Sequence, residues 1–469
     1  MYLTQVNSKK IGLAISSILL IGCAFLYYLS SFNWQISSDD AFNLSRGFER
    51  FSVLEFRPHF PGYPGLIAGI HLLALLFNST SSEYAVINFS ILSALLIPIV
   101  LAWLCYHFTN SLFTAITLAL LAYSSPLLAG LALSGLSDTP ALVFLLLALA
   151  CALRQQLLLA ALAIAIMLSI RPAYLILALA FIPFIFTQTY SLRIACLKTL
   201  LPIIFVGAAC LIFILSKDGF AYFSEGLRFT QGHLDIWGNT YTKLDRGAQL
   251  DIVYQWLEQL ADKIGLFTLT SLLAAMALSL IDKKVPIKIA SFIASSYFIV
   301  MLFTQNPDNL RHFAPVFFLG IMLLIVQLNK VLSLHFLLPL IVLVFYMSYL
   351  PYWHNIMKMA PTSSALVKQA PVNQAIEYLE PEQITSKKLI LGTNYSMNLI
   401  SAQLMHFSVY DLYYPSNLRT LDQAAKDHHV WRLSGSRLLE NEHQLERIFS
   451  ARFPTEQDLY LYKFSNHSY

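Results

Sequence analysis

Residues 11–42 read IGLAISSILLIGCAFLYYLSSFNWQISSDDAF. The apolar run Ile11–Ser31 is long enough to cross a bilayer as one helix. Just past it stand two adjacent carboxylates, Asp39 and Asp40. Acidic residues are scarce in this chain, which is 12% charged and 57% hydrophobic. A carboxylate at a membrane boundary loses hydration unless something binds or titrates it. The pair therefore marks a site, and the recurrence of runs like Ile11–Ser31 decides the fold class.

A mean hydropathy of +0.62 excludes an ordinary soluble globule. Spans are expected at Ile11–Ser31, Tyr84–Cys105, Leu112–Gly130, Thr139–Leu153, Leu157–Ile170, Ala173–Thr187, Lys198–Ser216, Ile264–Ile281, Ile287–Phe303, His312–Leu328 and Val331–Leu350, about eleven in all. The run Tyr63–Phe77 is shorter and follows Pro58, Pro61 and Pro64, which suits an interfacial or re-entrant helix. After Leu350 the hydropathy falls, leaving a tail of roughly 110–120 residues, enough for one small domain. The expectation is a polytopic α-helical membrane protein with a small C-terminal α/β domain. Residues 1–350 form the membrane domain, with the loop 32–83 carrying the acids, and 351–469 form the soluble domain.

Excluding Tyr63–Phe77 from the spans puts Lys9, Lys10, Arg154, Arg193, Lys283, Lys284 and Lys330 on one side, which is then the cytoplasmic side. The N-terminus is cytoplasmic on that reading, and the first loop and the tail lie outside. The five cysteines all lie in or beside apolar runs and none is in the tail, which argues against a disulfide framework and a cysteine metal site and favours a bacterial inner membrane with a periplasmic tail. The stretch Leu20-Ile21-Gly22-Cys23 resembles a lipoprotein signal, but the apolar run continues to Leu29, as in an uncleaved span. Net charge is +4 with no basic block, so no nucleic-acid partner is expected. In the tail, Ala375–Leu379 and Gln444–Phe449 read as helical, and Lys388–Gly392, Phe407–Tyr413 and Leu459–Phe464 read as strands.

Four motifs carry chemistry. The first loop holds Ser38-Asp39-Asp40-Ala41-Phe42, then Phe56-Arg57-Pro58-His59-Phe60-Pro61-Gly62-Tyr63-Pro64. The second is Ser137-Asp138-Thr139-Pro140, the third Gly232-His233-Leu234-Asp235-Ile236-Trp237-Gly238 with Arg228 upstream, and the fourth Arg311-His312-Phe313-Ala314-Pro315. Capping of a helix explains one Asp of the first motif but not the pair. An N-cap followed by Pro also accounts for Asp138, and that role is compatible with a chemical one.

These motifs, in this order, resemble those of the GT-C superfamily of polyprenyl-phosphate-sugar glycosyltransferases, which includes protein O-mannosyltransferases and lipid A aminoarabinose transferases. The resemblance implies an inverting transfer of a sugar from a polyprenyl-phosphate donor to a hydroxyl of a lipid, glycan or protein acceptor at the outer face. It implies Asp39 as general base, Asp40 as the second acid of the pair, and Asp138 as a further acid of the site. Arg311, Arg171, Arg228 and His233 become candidates for the donor phosphate, and Arg57, His59, Tyr63 and Trp237 for substrate. Superfamily members differ in using a divalent metal ion, and the sequence leaves the metal open, with no zinc-like spacing. The Pro-Pro pair of several members is replaced here by Gly62-Tyr63-Pro64. A transporter of lipid-linked sugars is the rival. It requires charges within spans and broken helices, whereas the acids here cluster towards one face. A non-enzymatic scaffold is the third reading.

Overall fold

The computed structural model describes residues 8–78, 81–186, 191–237, 246–331, 368–381, 389–412, 414–425, 428–438 and 444–463. Its membrane part is a helical bundle: α1 Ser8–Leu29, α2 Asp39–Glu49, α3 Pro64–Phe77, α4 Ser82–Thr109, α5 Leu112–Tyr123, α6 Pro126–Leu133, α7 Asp138–Leu153, α8 Leu157–Ile170, α9 Leu175–Leu179, α10 Ile182–Phe186, α11 Leu192–Asp218, α12 Ala221–Trp237, α13 Arg246–Ile264, α14 Leu266–Leu280, α15 Val285–Thr304 and α16 Ala314–Val331. Among the described residues five helices are long and apolar enough to cross a membrane, or up to seven if each bent pair is one span.

The central helix is α4, which packs on α2, α3, α5, α6, α7 and α16. Helices α7 and α8 form a hairpin whose reversal places Gln155 at φ +58°. Pro172 disfavours helical geometry at the residue before it, so α8 ends at Ile170 and Arg171 is extended. The expected span Leu112–Gly130 is a pair, α5 and α6, bent by 58° where Ser124-Ser125-Pro126 cannot continue the helix. A second break of 113° separates α13 from α14 at Gly265, whose φ of +85° suits a residue without Cβ. The expected span Leu112–Gly130 is thus corrected to a bent pair, and the stretch between the expected spans Lys198–Ser216 and Ile264–Ile281 contains α12 and α13. The last expected span, Val331–Leu350, lies outside the described residues apart from Val331.

The C-terminal part is a five-stranded sheet in the order β2-β1-β3-β5-β4. The strands are β1 Leu389–Thr393, β2 Phe407–Asp411, β3 His429–Ser434, β4 Gln444–Phe449 and β5 Leu459–Lys463. β1 pairs in parallel with β2 and β3, and β5 pairs antiparallel with β3 and β4. All five residues of β1 are buried, as its unbroken apolar run requires. Gln444–Phe449, expected to be helical, is the edge strand β4. Its Glu and Arg side chains favour a helix locally, but pairing with β5 overrides that preference. The helix read at Ala375–Leu379 spans Pro371–Leu379.

The two parts share one buried apolar cluster, which runs from Phe25 and Leu29 through the bundle to Phe453 and Leu461. The rings of Phe32 and Phe453 lie 4.9 Å apart, and the Arg452 guanidinium covers both. The Lys368 carbonyl accepts from Asn33 N at 3.1 Å and from Arg452 Nη1 at 2.8 Å. Gly130 lets the backbone of α6 approach this seam, since a Cβ there would come within 2.8 Å of Phe453 Cβ. Phe453 is fully buried. Phe453→Ala should therefore cost about 3–5 kcal/mol, read as a lower Tm together with faster proteolysis of the C-terminal part.

Candidate active site

Four helix ends meet at one place. The N-terminus of α2 brings Asp39 and Asp40, with Ser38 as N-cap accepting Ala41 N at 3.3 Å. The N-terminus of α7 brings Asp138. Acids in the first turn complement the helix dipole and its free N–H groups. The C-terminus of α8 brings Arg171, the sign that end favours. The turn Leu310–Phe313 ahead of α16 brings Arg311 and His312.

Two carboxylate–guanidinium pairs result. Arg311 Nη2 donates to Asp40 Oδ2 at 2.8 Å. Arg171 Nη1 donates to Ser137 Oγ at 2.8 Å and to Asp138 Oδ2 at 3.2 Å, with Nη2 3.1 Å from Asp138 Oδ1. His312, next to Arg311 in the chain, meets the second pair: its Nδ1 lies 3.1 Å from Arg171 Nη2. Arginine can only donate, so Nδ1 is the unprotonated nitrogen. The Arg171 guanidinium also lies 5.2 Å from the Tyr174 ring, which stands edge-on to Tyr297. His59 Nδ1 is 3.8 Å from Asp40 Oδ1, its Nε2 is 3.0 Å from the Tyr63 hydroxyl, and its ring stacks on Phe229 of α12.

The Asp40 side chain keeps 40% exposure beside the less exposed Arg311, so it faces a crevice. Burial would raise its pKa, but Arg311 and His59 outweigh burial and hold it below the usual carboxylate range. Burial lowers the pKa of His59, helped by the two arginines and opposed by Asp40. Asp39 behaves differently. Burial pushes it up to about 6 against the pull of the Leu399 and Asn398 amides, with Asp40 adding to the rise.

The guanidiniums are not saturated. The Nε atoms of Arg171 and Arg311 are buried without an acceptor among the described residues. An open cleft of about 590 Å³ adjoins Arg311, lined by Ser37, Ser134, Asn309, Tyr395 and Glu456 among others. It lies on the seam between the bundle and the C-terminal sheet.

The fold therefore brings together Asp40, Asp138, Arg171, Arg311, His59 and Tyr63. Asp39 adjoins the cluster but turns its carboxylate to the C-terminal part. Arg57 has its Nε 3.6 Å from Glu55 and joins neither pair. Arg228 is exposed and bound to Glu225, whereas Phe229 of α12 reaches the site by stacking on His59. His233 and Trp237 fall on α12, but their side chains lie outside the described residues. Sequence reasoning missed His312, although it follows Arg311 directly, and Tyr395, which has no local signal. Among the described residues no three His, Cys, Asp or Glu side chains gather to hold a metal ion. Each acid of the cluster instead faces a guanidinium, a donor set that does not fit a metal.

No family model matches this chain, and no curated protein does. Solved structures do. ArnT from Cupriavidus metallidurans in the apo state is 9% identical, covers 97% of this chain and 98% of its own, and gives a TM-score of 0.51. The same organism's ArnT bound to undecaprenyl phosphate is 10% identical, covers 98% and 99%, and gives 0.49. The likeness to the apo structure is one of fold: a polytopic helical membrane bundle with a small C-terminal α/β domain.

Two outcomes test the electrostatics. Removing one partner of a buried pair leaves the other charge stranded, so Asp138→Leu or Arg171→Met alone should each cost about 3–5 kcal/mol, and the double variant distinctly less than their sum. Thermal unfolding in detergent reads both. Asp40 has a depressed folded pKa, so its stabilising effect is present above the unfolded value of about 4 and is lost as pH falls below it. Asp40→Asn should lower Tm at pH 7, and its gap to wild type should close as the pH is taken below 4.

Proposed function

We propose that this chain is an integral-membrane glycosyltransferase that moves one sugar from a polyprenyl-phosphate carrier to an acceptor hydroxyl. The observation that carries the reading is the pair of guanidiniums, Arg171 buried and Arg311 partly buried, whose buried Nε donors are unused, beside the partly exposed side chain of Asp40. Two arginines with spare donors fit the free oxygens of the donor's phosphodiester and the charge of the phosphate monoester that leaves. The GT-C fold and the ordered motifs of the sequence support the same reading. The Lys/Arg distribution supports placing the N-terminus in the cytoplasm and the C-terminal domain in the periplasm of a bacterial inner membrane.

In this reaction the acceptor O–H gives its proton to Asp40 while its oxygen bonds to the anomeric carbon from the face opposite the phosphate. The bond from that carbon to the phosphate oxygen breaks, the leaving phosphate keeps the electron pair, and the anomeric configuration inverts. Arg311 and Arg171 stabilise the charge that develops on the phosphate. A phosphate on Arg311 also competes with Asp40 for that guanidinium, which loosens the clamp on the Asp40 carboxylate and raises its basicity as the donor binds. Asp40 takes the role of base here in place of Asp39, because the Asp39 oxygens are already bonded to backbone amides.

The test is transfer from a panel of radiolabelled polyprenyl-phosphate sugars to membrane acceptors by purified protein. Wild type should move label from one donor, and Asp40→Asn should lower kcat by at least roughly a hundredfold. Arg311→Met should raise the donor KM as well as lowering kcat. Folded wild type that moves no label from any donor would overturn the assignment and favour a transporter of the same lipid.

A further inference from the structure

Asp39 stands in the first turn of α2, yet its carboxylate serves a helix of the C-terminal domain. One oxygen accepts Leu399 N at 2.9 Å and the other Asn398 N at 3.2 Å. These amides open the helix Met397–Gln403 and are the ones a capping side chain ordinarily satisfies. The helix has no cap of its own: Ser396 sits at φ +49° and its side chain makes no capping bond. Asp39 therefore caps the helix from the other end of the chain.

The segment just before that helix is clasped as well. The Thr393 hydroxyl donates to Tyr395 O and accepts from Tyr395 N, both at 3.0 Å. Thr393 is fixed in β1 and fully buried. Residues 394–396 are thus pinned by the strand on one side and by Asp39 on the other. Tyr395 lines the cleft beside Arg311. Burial keeps its phenol above the usual range, with Arg311 pulling the other way, so the hydroxyl is neutral and able to donate. Further contacts join the first loop to the same domain: Asn373 Nδ2 donates to Ile36 O at 3.1 Å, and Ser37 and Ser38 line the same cleft as Tyr395.

Resting on the glycosyltransferase reading above, we propose that Asp39 is a positioning residue whose cap sets Tyr395 in the wall of the cleft, and that the hydroxyl-bearing acceptor binds against Tyr395. On this view the two neighbouring acids divide the work. Asp40 faces the donor phosphate site, and Asp39 builds the acceptor side from a domain encoded at the far end of the chain.

The experiment uses the full chain in nanodiscs, as wild type, Asp39→Leu, Asp39→Asn, Tyr395→Phe and the Asp39→Leu/Tyr395→Phe double variant. Hydrogen exchange of the peptide 396–403 reads the cap without reference to any reaction. Radiolabel transfer gives kcat and the KM for donor and acceptor separately. Asp39→Leu should speed exchange of 396–403 by roughly five- to tenfold, the loss of one cap. It should raise the acceptor KM by a similar factor and leave the donor KM in place. Asp39→Asn keeps an oxygen that can accept an N–H, and it should restore most of both effects. Tyr395→Phe should raise the acceptor KM alone and add little in the Asp39→Leu background, because the two residues act in series. Unchanged exchange in Asp39→Leu overturns the proposal. So does Asp39→Asn with normal exchange and a kcat down by roughly a hundredfold or more, which would make Asp39 the base. Wild type that moves no sugar refutes the glycosyltransferase reading instead, and exchange alone then decides whether the cap exists.

Discussion

Arg171 is 6% exposed and lies where helices of an apolar bundle end. A guanidinium taken out of water into such a place costs several kcal/mol unless its charge and donors are met. Asp138 meets the charge, with Ser137 and His312 as further partners. This pair fixes the end of α8 against the start of α7 and against the turn before α16. That turn in turn delivers Arg311 to Asp40. If the pair were apolar the bundle could still pack, but the turn that carries Arg311 would lose this tie to the ends of α7 and α8. The dipoles of the helices act in the same sense, since the acids sit at N-termini and Arg171 at a C-terminus. The site is an assembly of helix ends, each carrying the charge that its own backbone favours.

Much of this was legible because helix ends leave local signatures. Asp138-Thr139-Pro140 announces an N-terminus, and Arg171-Pro172 announces a stop. The charged residues at these points stand out against an apolar background, so Asp40, Asp138, Arg171 and Arg311 could all be read from the chain. The bends were harder. The break between α5 and α6 lies inside one continuous apolar run, and hydropathy counts length without sensing direction. The edge strand β4 was misread for the usual reason, since Gln, Glu and Arg favour a helix until a neighbouring strand supplies the hydrogen bonds. The turning of Asp39 away from its neighbour was invisible, because its partners stand 359 and 360 residues further on. No local signal reports a cap made across that separation.

A fold held at 9% identity over 97% of the chain is compatible with this picture. Apolar helix faces accept many side chains of suitable volume, so a bundle can diverge widely while its layout persists. The polar end tolerates less change, because a stranded buried charge is strongly destabilising. The glycine at position 130 shows a second kind of constraint: the seam between the bundle and the C-terminal domain closes only where α6 carries no Cβ.

The contact of Phe32 with Phe453 has a consequence for biosynthesis. A ribosome makes the first loop before the C-terminal residues that pack on it. Until those residues are made, Phe32 lacks the Phe453 ring and the Asp39 carboxylate lacks the Asn398 and Leu399 amides. The nascent chain therefore carries its acidic loop uncovered while the rest of the bundle is being made. A truncation before residue 389 would take Tyr395, Thr455 and Glu456 from the lining of the cleft while sparing every helix of the bundle. Completion of the cleft waits on residues far downstream of the loop they cover.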